Sequence, residues 1–583
     1  YLPDRVNVLS SSSGKNEPDI LLQYETMNLD VDYQKINEWI QKGDYEKTYR
    51  ELFIAQCNKL NRFLPIMFEK INDYTEILLP DYLLDSEFII SKLVNNKGLT
   101  DSFNEVEVIG WLYQYYNTEP KNAVFSKLKK NKKAEKYDIP PATQLFTPMW
   151  IVQYMVENSL GQILVEAGYE NILKQNMRYY ISRIEQNGEV SKQIKKNRYN
   201  ITDLEEITVF DPCVGSGHIL VYAFDLLYEV YKEAGYPRNE IPKIILEKNL
   251  YGLDIDQRAT QLASFALLMK AREKSRRILR EEIKLNIYAI SESDNLDVKT
   301  MVNTIANNTF ERKELLNTFN TFINAKNFGS ILRLPDINYE KYIERIASID
   351  LNNKQLSLTD YKIFEQSKDF TCVLKQAKVL STKFDAVITN PPYMGSRGMN
   401  PSLKKYLQKN YNDSKSDLFA VFMERIPELV KENGFIAMIT MESWMFLTKY
   451  EKLRNKVLCN YTIENLIHMP YEGKGKTSLG INFGVVSYVL RNSINEKFKG
   501  VYQCIRYNEI DDNGVPFSFP NINQRYSITD YSRFRGIKGS PITYWISDET
   551  LEVFKNNPSL SNRIEITGSQ HITANNEKFL RFH

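Results

Sequence analysis

The sequence predicts an α/β protein: a mostly parallel sheet wrapped by helices, with a helical domain before it and the start of another domain after it. Three observations predict this. From Ile207 to about Leu490, short apolar runs alternate with helical stretches, and the runs ITVFDP, LYGLDID, LNIYAIS, FDAVITN, GFIAMIT and FGVVSYVL read as strands. Up to about Asp138 the chain reads as helices with mixed apolar and charged faces, as in Asn37 to Leu64 and VEVIGWLYQYY from Val106 to Tyr116. After about Asn492 shorter strands and Pro/Gly/Asn turns take over. The expected domains are therefore 1–138, 139–492 and 493–583. A helical, Asn- and Lys-rich insertion over about 297–378 is expected to elaborate one side of the sheet.

The length of 583 residues suits several cores at roughly 150 residues per domain. A net charge of +2 creates no global field that would draw the molecule onto a polyanion, so binding to nucleic acid has to come from local patches. Three basic runs exist: Lys127 to Lys136, Lys192 to Arg198, and Lys270 to Arg280. Taken singly, a run of this kind is a solvated face. Five scattered cysteines without a CxxC pair fit neither a disulfide framework nor a zinc cluster, and indicate a reducing compartment. With no apolar run long enough to span a bilayer, no membrane association is expected and the cytoplasm is the expected location. The start at Tyr1 and the stop at His583 directly after FLRF are expected to be cuts in a longer chain.

FDPCVGSGHIL, Phe210 to Leu220, lies between an apolar strand and a helical run, where Gly215 and Gly217 let backbone approach a ligand closely. No Gly-Lys-Ser/Thr follows, so the loop is not a triphosphate cradle. Asp211 and Pro212 open the turn; a carboxylate there repels phosphate and accepts from an ammonium group. The next strand ends in LYGLDID, placing Asp254 where it can accept from ribose hydroxyls and Ile255 where it can pack on adenine. Glu292, closing the following strand, is a third acidic candidate, with Asp294 as its alternative. Ribose, adenine, a charged amino-acid end and no phosphate describe S-adenosylmethionine better than NAD.

KFDAVITNPPYMGSRG, Lys383 to Gly398, holds the second motif. Asn390 and the carbonyl of Pro391 would project from a strand edge beside the glycine loop, and the prolines Pro391 and Pro392 stiffen their direction. Two rigid acceptors can share one NH2 group and aim its nitrogen lone pair at a sulfonium methyl. Such positioning needs no metal and no strong base. Tyr393 offers a ring face to the base that carries the amine, and a base in duplex DNA has to be flipped out to reach it. His218, within the glycine loop, has no acid–base task in this chemistry and reads as local packing.

In these motifs the chain resembles the γ-type adenine-N6 DNA methyltransferases, and VEVIGWLYQYYNTEPK with PPATQLFTPMWIVQYMVENSLGQIL resembles the PglX family of BREX phage-defence systems. The resemblance implies a Rossmann-like S-adenosylmethionine-dependent methyltransferase sheet. FTP, Phe146 to Pro148, is similar to the family's leading motif, which implies a cofactor carboxylate contact for Thr147 and Pro148. SDLFAVFMERIPELV is similar to its next helix, implying that Asp417 and Leu418 lie near the adenosine pocket. NFGVVSYVL is similar to a late hairpin, implying that Phe483 packs against the flipped base. The partners implied are double-stranded DNA and other phage-defence proteins, the reaction adenine methylation that marks host DNA, and 493–583 the beginning of a target-recognition region. NPPY also serves methylation of cytosine N4 or of a protein glutamine amide, and a non-catalytic DNA-binding scaffold would keep the same fold. A fused nuclease would need Pro-Asp followed by Asp/Glu-x-Lys, and neither Pro18-Asp19 nor Pro80-Asp81 is so followed.

Overall fold

The computed structural model describes residues 6–558 except 13–16, 66, 69, 72–73, 86, 97, 99–107, 131, 144–146, 200, 350–357 and 474–480. Phe146 and the FLRF segment lie outside the described residues.

The alternation read in the sequence becomes one nine-stranded mixed sheet, order β3-β2-β1-β4-β5-β7-β6-β8-β9. The strands are β1 (Val209–Asp211), β2 (Leu250–Asp254), β3 (Asn286–Ala289), β4 (Phe384–Thr389), β5 (Val430–Met441), β6 (Thr462–Met469), β7 (Val485–Arg491), β8 (Gly500–Cys504) and β9 (Ser527–Thr529). β1 to β5 pair in parallel, while β7 runs antiparallel between β5 and β6. β8 and β9, from the region after residue 492, hydrogen-bond onward from β6 into the same sheet.

The parallel strands are buried on both faces and so read as continuous apolar runs. Along β4, Ala386, Val387 and Ile388 alternate between the two cores, Val387 entering one and Ala386 and Ile388 the other, while Phe384, on the far side of a register shift, shares the core of Val387. β6 is absent from the strands read in the sequence, because Glu464, Asn465 and His468 interrupt its apolar pattern. All eight of its residues are nevertheless buried. The polar ones are satisfied inside: Glu464 pairs with Arg183, Asn465 accepts from the Tyr154 hydroxyl, and His468 lies 2.7 Å from Glu442.

The described residues of the insertion pack on one face, where Met301, Phe319, Tyr342, Phe370 and Leu374 join the core that holds Phe384. The N-terminal helical region divides among three cores, Leu64 joining the one that holds Ala386 and Ile388. Ile20, Met27, Ile36, Tyr49 and Leu52 form a core of their own, whereas Val124 and Ala134 belong to the core beneath the sheet. Among the described residues no helix is long and apolar enough to cross a membrane.

Candidate active site

The strand order reverses direction at β1, whose neighbours β2 and β4 are connected on opposite sides of it. A crevice outside the carboxyl ends of the strands at such a switch point is where open α/β sheets take ligands. Both motifs open there: the glycine loop leaves β1 at Asp211 and NPPY leaves β4 at Thr389. Between them is a cavity of about 1030 Å³ of empty space, its open mouth included.

Pro212, Gly215, Asp254, Ile255, Asn390, Pro392 and Leu418, all singled out in the sequence, line this cavity. Gly215 lies in the left-handed region (φ +52°), and its amide donates to Asp254 Oδ2 at 2.9 Å. The other oxygen, Oδ1, accepts from the Asp256 amide at 2.9 Å. Asp254 thus clamps the loop while keeping lone pairs for a ligand. Burial raises its pKa to about 6.

The remaining residues support this surface from behind or from the side. Asp211 is fully buried and accepts from Thr389 Oγ1 at 2.7 Å and from the Cys213 amide at 3.0 Å, joining the two motif-bearing strands. Burial, with neighbouring Asp254, raises it to about 7. Gly217 (φ +89°) is required for packing: a Cβ there would lie 2.9 Å from Ala263 Cα in the helix Gln257–Lys274. Glu292 forms an ion pair with Lys136 and accepts from the Lys326 amide at 3.2 Å, away from the cavity lining. Asp294 accepts from the Asn324 amide. Asp417 accepts from the Met394 amide at 3.1 Å, fastening the turn after NPPY, and burial raises it to about 6. His218 is half-buried, and desolvation of its ring lowers its pKa to about 4.

Asn390 is fixed from two directions. Its Nδ2 donates to Thr147 Oγ1 at 3.0 Å, and its Oδ1 accepts from the Tyr393 hydroxyl at 2.8 Å. Thr147 is therefore joined to the NPPY asparagine, and Pro148 caps the helix Met149–Asn158 that starts beside it. The Tyr393 hydroxyl also lies 3.0 Å from the Ile439 carbonyl, and the ring is edge-on to Phe483 at 5.6 Å. Pro391 is buried beneath these groups.

Several lining residues were not singled out as site residues in the sequence. Gly110 and Tyr113 from the helix Val108–Tyr116, together with Pro140 and Thr143, close one side. The Tyr113 hydroxyl donates to Asp256. On the other side the insertion supplies Asn327, Phe328, Gly329 and Ser330, with Ser330 Oγ donating to the Pro212 carbonyl at 2.6 Å. Both segments are distant in sequence from either motif, which is why local pattern could not place them.

The Eco57I restriction-modification methylase family profile matches residues 248–474, a span that includes β2, NPPY and the helix after it. The chain is 38% identical over 544 residues to the adenine-specific methyltransferase BrxX of Escherichia coli O9:H4 (strain HS), covering 89% of this chain and 44% of that protein. It is 36% identical over 610 residues to the adenine-specific methyltransferase PglX of Lacticaseibacillus casei (strain Zhang), covering 100% of this chain and 49% of that protein. Over the aligned stretch the chain is similar to both of these adenine-specific methyltransferases. It spans about half the length of these relatives. A type I restriction-modification methyltransferase subunit from Streptococcus thermophilus aligns with 92% of this chain and 85% of its own chain, at 10% identity and a TM-score of 0.40.

The cavity's chemistry fits S-adenosylmethionine. Asp211 and Asp254 form no ion pair among the described residues, so a cationic ligand would relieve the cost of their burial. Ile255, Phe328, Leu418 and Phe422 offer apolar surface for a flat heterocycle.

Proposed function

We propose that this chain methylates the N6 amine of an adenine in duplex DNA, using S-adenosylmethionine as methyl donor, and that the reaction marks host DNA in phage defence. The observation that carries the reading is Asn390, held by Thr147 and Tyr393 at the rim of a cavity whose opposite wall is the glycine loop and Asp254. When bound, the cofactor supplies an electrophilic methyl group. Asn390 Oδ1 and the Pro391 carbonyl accept the two amine hydrogens, turning the nitrogen lone pair toward the cavity. The Thr147 and Tyr393 bonds keep the asparagine from rotating, so orientation is established before the base arrives. Asp254 takes the ribose hydroxyls, and Ile255 and Leu418 pack on the cofactor's adenine. Tyr393 and Phe483 stand where an extruded base would pack. The amine gains the charge that the sulfonium loses, so no side chain has to remove a proton in the transfer step.

The test is incubation with S-adenosylmethionine and methyl-free genomic DNA, digestion to nucleosides, and quantification of N6-methyladenine by mass spectrometry. The parent chain is expected to form it. Asn390→Ala is expected to abolish transfer while leaving cofactor affinity within about twofold. Wild-type turnover by Asn390→Ala would overturn the assignment of the site. N4-methylcytosine or a methylated protein amide in place of methyladenine would overturn the substrate.

A further inference from the structure

Two basic segments 264 residues apart meet directly beside the NPPY turn. The Ala134 amide donates to the Gly398 carbonyl at 2.9 Å, and Lys133 Nζ donates to the Arg397 carbonyl at 2.5 Å. A Cβ on Gly398 would lie 3.6 Å from Leu128 Cδ2, so the two backbones pack closely as well. The stretches 127–134 and 395–411 contain no Asp or Glu.

Geometry turns their cations outward. In the helix Pro401–Asn410, Leu403 and Leu407 are buried, so Lys405 and Lys409 share the opposite, exposed face at i and i+4. Lys130, Lys132 and Arg397 are exposed too. Of the nearby carboxylates, Asp138 pairs with Lys127, Glu292 with Lys136, and Asp413 with Lys456 and Lys452, while Glu135 accepts from the backbone of its own turn. None of Lys130, Lys132, Arg397, Lys405 and Lys409 forms an ion pair among the described residues.

A cluster of unpaired cations at the edge of the catalytic turn fits a polyanion whose charges are regularly spaced. We propose that Lys130 and Lys132 of the N-terminal region, with Arg397, Lys405 and Lys409 after NPPY, form one composite surface that grips the backbone phosphates of the DNA strand presenting the target base. The inference rests on the DNA reading above and deepens it, since it assigns the N-terminal helical region to substrate binding. Its contribution is independent of base sequence.

The test compares the parent chain with the combined variant Lys130→Gln, Lys132→Gln, Lys405→Gln, Lys409→Gln. A control removes charge from a remote helix, Lys35→Gln with Lys42→Gln. Binding to a fluorescent duplex is followed by anisotropy from low to high salt, and S-adenosylmethionine binding by calorimetry. The expected result is at least tenfold weaker duplex binding by the fourfold variant. The slope of log K against log salt should fall by roughly 0.9 for each phosphate that the variant no longer neutralises. Cofactor affinity and the control should match the parent. A parent that binds DNA while the fourfold variant keeps its affinity and slope overturns this surface and leaves the DNA reading standing. An equal loss in the control also overturns the surface, because net charge alone would then explain it. A parent that binds no duplex overturns both.

Discussion

Buried carboxylates occur in two regions of this chain and are treated in opposite ways. Near β6 and β7, Glu166 is held by Arg491 through two hydrogen bonds, at 2.7 and 3.0 Å, and by Arg183 at 2.7 Å. Arg183 also grips Glu464 through two nitrogens. The arginines keep Glu166 below the ordinary carboxylate range despite its burial. At the switch point, Asp211 and Asp254 receive only backbone amides and a threonine hydroxyl, and burial pushes them up to about 7 and about 6. A pair completed within the protein stabilises the fold against losing a partner. Asp254, at the cavity wall with Asp211 behind it, is left without a cation and is suited to a ligand that brings one.

The largest expected effect comes from breaking the completed cluster. Arg491→Met leaves Glu166 with one arginine in a buried setting and should cost about 3 to 5 kcal/mol of stability. Urea unfolding measures this, and a loss below about 1 kcal/mol would remove the contrast between the regions.

Asp254→Asn should do the reverse, changing stability little while weakening S-adenosylmethionine binding by about 1.5 to 3 kcal/mol, the usual worth of hydrogen bonds to a charged group. Calorimetry reads the difference, and unchanged affinity would move the ribose contact elsewhere. In the parent, affinity should fall as pH drops through about 6, because protonation removes the charge on Asp254. The stability effects have opposite signs. The fold raises the pKa of Asp254, so this group's contribution is greatest at low pH and is lost as pH rises through about 6. The fold lowers that of Glu166, so its contribution holds above the ordinary value of 4.5 and is lost on acidification.

The smallest effect is expected at the insertion's wall. Gly329 has φ +61°, and a Cβ there would lie 2.8 Å from Ile255 Cγ2. Gly329→Ala should cost about 1 to 2 kcal/mol in backbone strain. It should also weaken cofactor binding severalfold by displacing Ile255. A melting scan with calorimetry tests both, and unchanged cofactor affinity would separate the insertion from the binding surface.

What was legible in the sequence follows from how local each signal is. β1 to β5 and β7 are short apolar runs, and each run carries its own evidence. β6 was not legible, since its Glu464 and His468 are tolerated only because Arg183 and Glu442 meet them from other segments. At the site, Asn390, Asp254 and Gly215 stand on motifs whose spacing shows their chemistry, and the fold brings them to one cavity. For Asp211, Gly217 and Glu292, residue type and position alone could not distinguish a lining group from a supporting one. That distinction depends on Thr389, Ala263 and Lys136, which lie 178, 46 and 156 residues away.

The sequence by itself determined the alternating α/β pattern, the glycine turn and the stiff Asn-Pro-Pro-Tyr edge, because periodicity, φ preference and the missing proline donor act within a few residues. Only the tertiary structure decided that the N-terminal helices and the insertion close the cavity, that two lysine-rich segments meet at its rim, and which buried carboxylates find an arginine. Those outcomes depend on contacts between residues tens to hundreds of positions apart, which the order of strands in the sheet brings together.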